Sequence, residues 1–258
     1  MEKTTATQDS YQIETTSNAD QRENRDSLTD LFNRSPLPEE DKMFNLGMYT
    51  RSTLLVKFLV MDDLYKRIVN IPGNICEFGT WWGQNLVLME NLRAIHEPFN
   101  KQRVILGFDT FEGYTDIGDI DRRSDVWKEN SYSTGTEYMS YLEELLETHE
   151  GSNVLGHIKG VHKLIKGNVT ESAPKYFDGH KESLVALAYF DMGLYEPTKA
   201  AMLAIKPNLM PGSIMLLDEL TWAESPGEAI AFKEVFNDVK YKIEKVALYP
   251  SKSIVTIL

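Results

Sequence analysis

Short apolar runs alternate with segments of helical periodicity along most of the chain. The apolar runs predict strands, and apolar residues spaced three and four apart predict amphipathic helices between them. The predicted strands cover residues 74–78, 104–108, 161–165, 184–190, 214–217, 243–249 and 253–258. The predicted helices cover 53–69, 84–95, 171–177 and 197–205, with two more that begin near 134 and 225.

This alternation predicts an α/β fold built on a mainly parallel sheet with helices on both faces. The last two strands are close enough to form an antiparallel hairpin at one edge. The predicted sheet therefore has five parallel strands and two antiparallel ones. In such sheets ligands bind beyond the carboxyl ends of the strands, so the candidate chemistry is sought there.

The first 40 residues are polar and are expected to be disordered or loosely attached, and residues 41–258 are expected to form one domain. Residues 115–160 follow the second strand as an insertion. It is either a lid, in which Arg122 and Arg123 meet a phosphate, or a solvated loop with a surface helix. Two capping boxes are predicted to open helices, at Thr134–Glu137 and at Ser225–Glu228.

The net charge, the cysteine content and the lack of a long apolar run bear on the partners and the location of the protein. The chain has 258 residues and a net charge of −12, which argues against nucleic acid or an anionic membrane surface as a partner. Its single cysteine, Cys76, lies in an apolar run and cannot form an intramolecular disulfide. Neither a signal peptide nor a run long enough to span a bilayer is apparent, so a cytoplasmic protein is expected.

The first strand ends in the segment CEFGTWWG, residues 76–83. Its glycines allow a tight turn and a close approach of backbone to ligand, but their spacing is not that of a pyrophosphate-binding loop. Glu77 suits an ammonium-bearing ligand such as the methionine end of S-adenosylmethionine. An ordinary strand-to-helix turn is the alternative, and Trp81 either packs or forms a wall of the site.

Polar residues also follow the next two strands. Asp109 ends the second strand and is the candidate for accepting hydrogen bonds from ribose hydroxyls, which we prefer to the alternative of a turn or cap residue. Asn168 follows the third strand and either binds an adenine edge or forms a turn. The candidate cofactor-binding residues are Glu77, Gly79, Thr80, Trp81, Asp109, Thr110, Phe111, Asn168 and Asp191.

Three carboxylates follow the fourth and fifth strands: Asp191, Asp218 and Glu219. Because these strands are expected to be neighbours, the three side chains should converge, and like charges this close need neutralising. An all-oxygen set suits Mg²⁺, while helix capping by one or two of them is the alternative. Asp191, Asp218 and His162 are the candidate catalytic residues, although His162 lies within a predicted strand.

At these motifs the chain resembles the macrocin O-methyltransferase family, most closely its branch acting on nucleotide-linked deoxysugars such as TDP-rhamnose. The stretches that carry the resemblance are 76–85, 104–114, 186–198 and 211–220, including GFDTFEGY and YFDMGLYEPT. The resemblance implies a Rossmann-like class I methyltransferase fold, cofactor binding by Glu77, Gly79 and Asp109, and a Mg²⁺ site at Asp191, Asp218 and Glu219. It also implies self-association into a homo-oligomer.

One position departs from the family pattern. The family commonly has a second aspartate two residues after the first, proposed as the general base, and here that position is Gly193. His162, Tyr195 and Glu219 are possible substitutes. The sequence thus predicts an S-adenosylmethionine-dependent, Mg²⁺-assisted O-methyltransferase of a sugar or nucleotide-sugar hydroxyl in natural-product biosynthesis. A non-sugar acceptor, or a catalytically weak S-adenosylmethionine-binding protein, is the alternative.

Overall fold

A computed structural model describes residues 18–115, 117–121, 127–128, 131–135, 137–159 and 161–258. The chain divides into two compact units, one up to Leu59 and one from Val60 onwards. The division falls within a helix, Ser52–Ile68. Each unit is described by itself below. In the described part of the chain, no helix combines the length and the apolar character needed to cross a bilayer.

The first unit is helical. It contains α1 (Ala19–Asn33), α2 (Glu39–Phe44), a 3₁₀ turn (Leu46–Tyr49) and the start of α3 (Ser52–Ile68). The helix α1 lies within residues 1–40, for which disorder or loose attachment stays a prediction. It forms because Asn18 and Gln21 make a reciprocal capping box, with N–O distances of 2.9 and 3.0 Å, although no residue of α1 is buried.

The second unit is built on a seven-stranded sheet. Its strands are β1 (Asn74–Phe78), β2 (Ile105–Asp109), β3 (His162–Lys166), β4 (Val185–Phe190), β5 (Leu209–Leu217), β6 (Tyr241–Lys245) and β7 (Ser253–Ile257). The strand order is β3-β2-β1-β4-β5-β7-β6. The pairs from β3 to β5 are parallel, whereas β7 runs antiparallel to both β5 and β6. The predicted fold class is confirmed.

Helices cover both faces of the sheet. They are α4 (Gln84–His96), α5 (Tyr138–Ser152), α6 (Val169–Gly179), α7 (Tyr195–Ile205) and α8 (Gly227–Val235). The face that carries Cys76 and Phe78 forms one core with α6, α7 and α8. The opposite face carries Glu77, which α4 contacts through Asn85, and α5 packs on α4.

Phenylalanines form a layer beneath the strand ends. Phe78 stacks between Phe108 and Phe190, with ring centroids 4.8 and 5.1 Å apart, and Phe108 stacks on Phe177 of α6. Phe78 and Phe190 are the last residues of β1 and β4. The ends of β1 and β4 therefore pack on an aromatic layer, which supports the residues that follow them.

In the described part of these two segments, neither predicted capping box forms. The helix α5 begins after Glu137, which makes no capping bond, and the Thr134 hydroxyl donates to the Phe111 carbonyl at 3.4 Å. At α8 the Ser225 hydroxyl donates to the Gly193 carbonyl at 3.2 Å. Tertiary partners have replaced the local ones in both places. Arg122 and Arg123, proposed to meet a phosphate, lie outside the described residues.

Candidate active site

The turn after β1 lies directly against the end of β4. Gly79 has φ +91°, and a Cβ built on it would lie 2.3 Å from the carbonyl oxygen of Asp191. A side chain is therefore excluded both by the left-handed conformation and by the neighbouring backbone. This close approach brings the first predicted cofactor-binding turn and the first predicted metal ligand into one site.

Glu77 is held from the side by the following helix. It is only 2% exposed, and its Oε1 accepts a hydrogen bond of 2.6 Å from the Asn85 amide on α4. A buried carboxylate needs such partners to offset the loss of hydration. The Glu77 side chain is thus held in one orientation near the end of β1, two residues before Gly79.

Asp109 binds two backbone amides across the site. Its Oδ2 accepts from the Trp81 N–H at 2.8 Å and its Oδ1 from the Phe111 N–H at 2.6 Å. Trp81 and Phe111 both have positive φ, 48° and 57°, so the carboxylate stabilises two strained turns. Burial raises the pKa of Asp109 despite these hydrogen bonds.

The other candidate cofactor-binding residues follow β1, β2 and β3. Thr80 is buried, and the Thr110 hydroxyl donates to the Gly113 carbonyl at 2.8 Å. Asn168 is the N-cap of α6, with its Oδ1 accepting from the Thr170 N–H at 3.0 Å. This contact supports the turn interpretation of Asn168. Trp81 meets the Tyr132 ring edge-on, with centroids 5.6 Å apart.

Three carboxylates converge where β4 and β5 end. Phe190 is in register with Leu217, so Asp191 and Asp218 follow at neighbouring positions. Ligand oxygens of Asp191, Asp218 and Glu219 all lie within 4.8 Å of one another. The predicted convergence of these three residues is therefore present in the fold.

A fourth carboxylate extends this cluster. Glu228, in the first turn of α8, is fully buried, and its Oε1 accepts from the Glu219 N–H at 2.9 Å. Burial and the charge of Asp218 raise the pKa of Glu228 to about 8. Burial and the charge of Asp191 raise that of Asp218 to about 7, while burial, then Asp218, raises that of Glu219. We call Asp191, Asp218, Glu219 and Glu228 the carboxylate cluster.

A lysine reaches the same cluster. The Lys252 ammonium forms an ion pair with Asp218 Oδ1 and donates to the Tyr189 hydroxyl at 2.8 Å. Its side chain is buried, which lowers its pKa, but the charges of Asp191 and Asp218 outweigh this effect and raise the pKa. One ammonium thus faces several carboxylates.

Two proposed bases lie away from the cluster. His162 is the first residue of β3 and is in register with the start of β2, so it lies at the amino edge of the sheet. Its Nδ1 is 3.0 Å from Glu150 Oε2 of α5. The Tyr195 hydroxyl, on α7, bonds instead to Glu234 and Lys199 at 2.7 and 2.6 Å. The catalytic assignment of His162 is corrected on this ground, and Glu219 is the proposed substitute that lies in the cluster.

Comparison with known proteins identifies the family. The sequence profile of the macrocin-O-methyltransferase (TylF) family matches residues 58–249. The chain belongs to the macrocin-O-methyltransferase family. It is accordingly an S-adenosylmethionine-dependent O-methyltransferase, as the sequence resemblance implied. No curated protein sequence matches the chain.

Solved structures of similar chains agree. A crystal structure of CalS11, calicheamicin methyltransferase, is 36% identical, with a TM-score of 0.88 over 94% of both chains. The apo structure of CalS11, described as a TDP-rhamnose 3′-O-methyltransferase of calicheamicin biosynthesis, is 34% identical, with a TM-score of 0.81 over 94% of this chain and 96% of that one. The O-methyltransferase NovP, at 16% identity and a TM-score of 0.59 over 78% and 79% of the two chains, shares the fold.

The carboxylate cluster fits the divalent cation that the family resemblance implies. Its donors are all oxygen atoms, which Mg²⁺ prefers. Among the described residues, the buried Glu219 Oε2 has no hydrogen-bond partner, and a buried carboxylate oxygen without one favours a bound cation. Lys252 already neutralises part of the charge at Asp218, so the remaining donors are those of Asp191 and Glu219.

Gly193, the departure from the family pattern, is explained by a tryptophan. Gly193 has φ +67°, and a Cβ there would lie 2.3 Å from Cη2 of Trp127. Trp127 comes from the insertion after β2 and packs with Ile117 and Leu194. The indole therefore takes the space that an aspartate side chain at 193 would need. The Asp121 Oδ1 of the same insertion accepts from the Tyr195 N–H at 3.0 Å.

Three site residues were missed by reasoning from sequence: Lys252, Glu228 and Trp127. Lys252 was detectable, because the first residues of an antiparallel last strand must lie beside the end of β5. Glu228 was interpreted as part of a capping box, and its actual partner, Glu219, is a tertiary one. No sequence signal links Trp127 to Gly193, since the contact joins an insertion to a strand end.

Proposed function

We propose that this O-methyltransferase methylates a hydroxyl of a nucleotide-linked deoxysugar of the TDP-rhamnose type. The observation that carries the proposal is one edge of the sheet, where the Gly79 turn and Asp109 adjoin the carboxylate cluster. The apo CalS11 structure supports the acceptor class, since that relative is described as a TDP-rhamnose 3′-O-methyltransferase. Methyl donor and acceptor hydroxyl would meet at this edge.

The β1 and β2 ends are proposed to bind S-adenosylmethionine. Glu77 would hold the ammonium of the methionine moiety, and Asp109 the ribose hydroxyls. The Asp109 oxygens accept the backbone N–H groups of Trp81 and Phe111, and a carboxylate has about four lone-pair sites, so it can also accept ribose hydroxyls. Backbone of the turns at 79–81 and 109–111 would line the rest of the pocket.

The carboxylate cluster is proposed to hold and deprotonate the acceptor. In the transfer an oxygen–carbon bond forms as the sulfur–carbon bond breaks, and the hydroxyl proton goes to the Glu219 oxygen that does not bind the cation. Asp191 and Asp218 would orient the hydroxyl in line with the breaking bond, since alignment supplies a large part of the rate enhancement. When bound at Asp191, Asp218 and Glu219, Mg²⁺ supplies stabilisation of the charge developing on that oxygen.

Aromatic residues are proposed to form the acceptor wall. Trp127 meets Tyr114 edge-on at 5.1 Å and Trp222 at 6.2 Å, and Tyr114 also contacts Tyr132. Sugar rings present apolar C–H faces that pack on such surfaces, while few polar groups set their orientation. Because Trp127 comes from residues 115–160, this insertion would act as the lid over the sugar.

A mass-shift assay tests the proposed activity. The purified chain is incubated with S-adenosylmethionine, Mg²⁺ and a panel of TDP-deoxysugars, and products are followed by mass spectrometry. We expect one methyl group added to a TDP-sugar. Turnover of non-sugar hydroxyls alone would contradict the acceptor class while leaving the methyltransferase assignment intact.

A second candidate, a catalytically weak S-adenosylmethionine-binding protein, is favoured by one observation. Trp127 leaves no room at Gly193 for the aspartate proposed as the base in the family. Calorimetric binding of the cofactor without turnover on any acceptor would support this candidate. Turnover of a TDP-sugar would exclude it.

Self-association and a cytoplasmic location stay predictions. Several large apolar side chains of the first unit are exposed, among them Met43, Phe44 and Met48, at 70%, 91% and 65%. Exposed apolar patches commonly mark interaction sites, which supports a homo-oligomer. Light scattering coupled to size-exclusion chromatography measures its mass, and a monomer at micromolar concentration would contradict the proposal.

A further inference from the structure

Lys252 has a charged side chain to which the proposed methyl transfer assigns no role. It lies in the connection between β6 and β7, yet it is only 9% exposed and its ammonium contacts Asp218 and Tyr189. A lysine in a hairpin connection usually extends into solvent. Burying it instead costs free energy unless carboxylates compensate.

The position of the ammonium is fixed from several sides. It lies 5.3 and 4.9 Å from the ring centroids of Tyr189 and Tyr249, within the range of cation–π attraction. The backbone is held as well, since the Lys252 N–H donates to the Tyr249 carbonyl at 3.0 Å and its carbonyl accepts from the Val246 N–H at 2.9 Å. Both the ammonium and the backbone of Lys252 are therefore held by specific contacts.

This position overlaps the candidate metal site. Lys252 pairs with Asp218, one of the three residues whose ligand oxygens lie within 4.8 Å of one another. Its positive charge also acts on Asp191 and Glu219. A divalent cation at these carboxylates would meet both a repelling charge and a ligand oxygen that is already engaged.

We propose that the Lys252 ammonium is a resident counter-ion of the carboxylate cluster and competes with a divalent cation for Asp218. Metal binding then requires the ammonium to leave Asp218, so metal affinity is low, and without metal the charge of Asp218 is offset by the ammonium. The inference rests on the proposed metal site. It does not depend on the identity of the acceptor.

Metal titration of the full-length chain tests the proposal. Mn²⁺ binding is measured by calorimetry and by electron paramagnetic resonance for the wild type, Lys252→Gln, Lys252→Arg and Lys181→Gln. Lys181 is a matched control because it is 76% exposed and pairs with Asp178 on the surface. Thermal unfolding checks that each variant is folded.

We expect Lys252→Gln to bind Mn²⁺ at least about tenfold more tightly than the wild type, because a nearby positive charge is removed. Lys252→Arg and Lys181→Gln should not gain affinity. Equal affinity of Lys252→Gln and wild type would overturn the competition while leaving the metal site standing. Absence of Mn²⁺ binding in every variant would overturn the metal site itself, and turnover of a TDP-sugar would then still support the proposed methyl transfer.

A second measurement needs only the wild-type chain. Amine acetylation followed by peptide mass spectrometry reports how accessible Lys252 is. We expect Lys252 to be labelled slowly without metal and faster at saturating Mn²⁺, with Lys181 labelled equally in both conditions. An unchanged Lys252 rate at saturation would overturn the proposal even if Lys252→Gln did not fold.

Discussion

The Trp127 indole limits the size of the side chain that residue 193 can carry. The substitution Gly193→Asp introduces a Cβ into the indole of Trp127 and places a residue with a Cβ at φ +67°. Overpacking and left-handed strain each cost about 1–2 kcal/mol or more. We therefore expect the free energy of unfolding, measured by urea denaturation, to fall by about 2–4 kcal/mol.

The double variant Gly193→Asp/Trp127→Ala separates the two causes. Removing the indole relieves the steric overlap but leaves the left-handed backbone. The double variant should therefore lose less stability than the sum of the two single variants. Strict additivity would contradict the assigned contact.

Asp109 is a second residue whose role can be isolated. The substitution Asp109→Asn keeps the shape but turns one acceptor into an amide donor, which then faces the N–H of Trp81 or Phe111. Leaving buried donors unmatched costs about 1–3 kcal/mol, and ribose binding loses a charged acceptor. We expect at least about tenfold weaker binding of S-adenosylhomocysteine by calorimetry.

The control for Asp109 is Asp178→Asn, because the Asp178 side chain is 76% exposed. This variant should bind the cofactor product as the wild type does. Unchanged affinity in Asp109→Asn would remove Asp109 from the cofactor site and leave it only its turn-stabilising role.

At the scale of elements, Arg103 joins segments at the amino edge of the sheet. Its guanidinium donates to the carbonyls of Ile68 at the end of α3 and Gly73 before β1, and to Glu97 after α4. The substitution Arg103→Met leaves Glu97 without its cation, and breaking such a pair costs about 3–5 kcal/mol. Urea denaturation should show this loss, whereas Lys175→Met, at an exposed position, should be near neutral.

The same pair predicts a dependence of stability on pH. Burial raises the pKa of Glu97, but hydrogen bonds from Arg103, Asn100 and Tyr65 outweigh it and hold the pKa below its ordinary 4.5. Folding therefore favours the ionised form, and its contribution is complete above the ordinary pKa and is lost as pH falls through the folded value. The stability difference between wild type and Glu97→Gln should shrink below pH 4.5. The control is Glu147→Gln, at an exposed position of α5, measured over the same pH range.

Sheet elements could be predicted from sequence because their signal is local. The β1 bounds are those predicted, and β4 is a nearly continuous apolar run buried on both faces. The starts of α5 and α8 were predicted less accurately than the strands. Thr134 and Ser225 resemble caps, but each hydroxyl has a partner distant in sequence, Phe111 or Gly193.

At the scale of the whole molecule, the strand order explains which site residues could be predicted. Residues after a parallel strand must reach the carboxyl edge, so Asp109, Asp191 and Asp218 could be predicted together. The same rule places His162, at the start of β3, on the opposite edge. Lys252 follows from the antiparallel course of β7, whose first residue pairs with the last of β5.

The strand order also places the proposed cofactor-binding residues and the proposed acceptor-activating residues on different strands of the sheet. The turns after β1 and β2 are proposed to bind the cofactor, and the ends of β4, β5 and β7 to activate the acceptor. The substitution Asp218→Asn changes only the second part, because Asp218 makes no hydrogen bond to the Gly79 turn or to Asp109 in the described residues. Methyl transfer should then fall by about 10²-fold or more while cofactor affinity stays near that of the wild type.

The measurement pairs a turnover assay with calorimetry using S-adenosylhomocysteine, each with and without EDTA. If the carboxylate cluster acts through a cation, EDTA should slow the wild type strongly and affect the already slow Asp218→Asn much less. A variant that turned over at the wild-type rate in both conditions would contradict the metal role. Parallel loss of cofactor affinity and turnover would instead show that the two halves of the edge are not independent, because Asp191 packs against the Gly79 turn and could transmit the change.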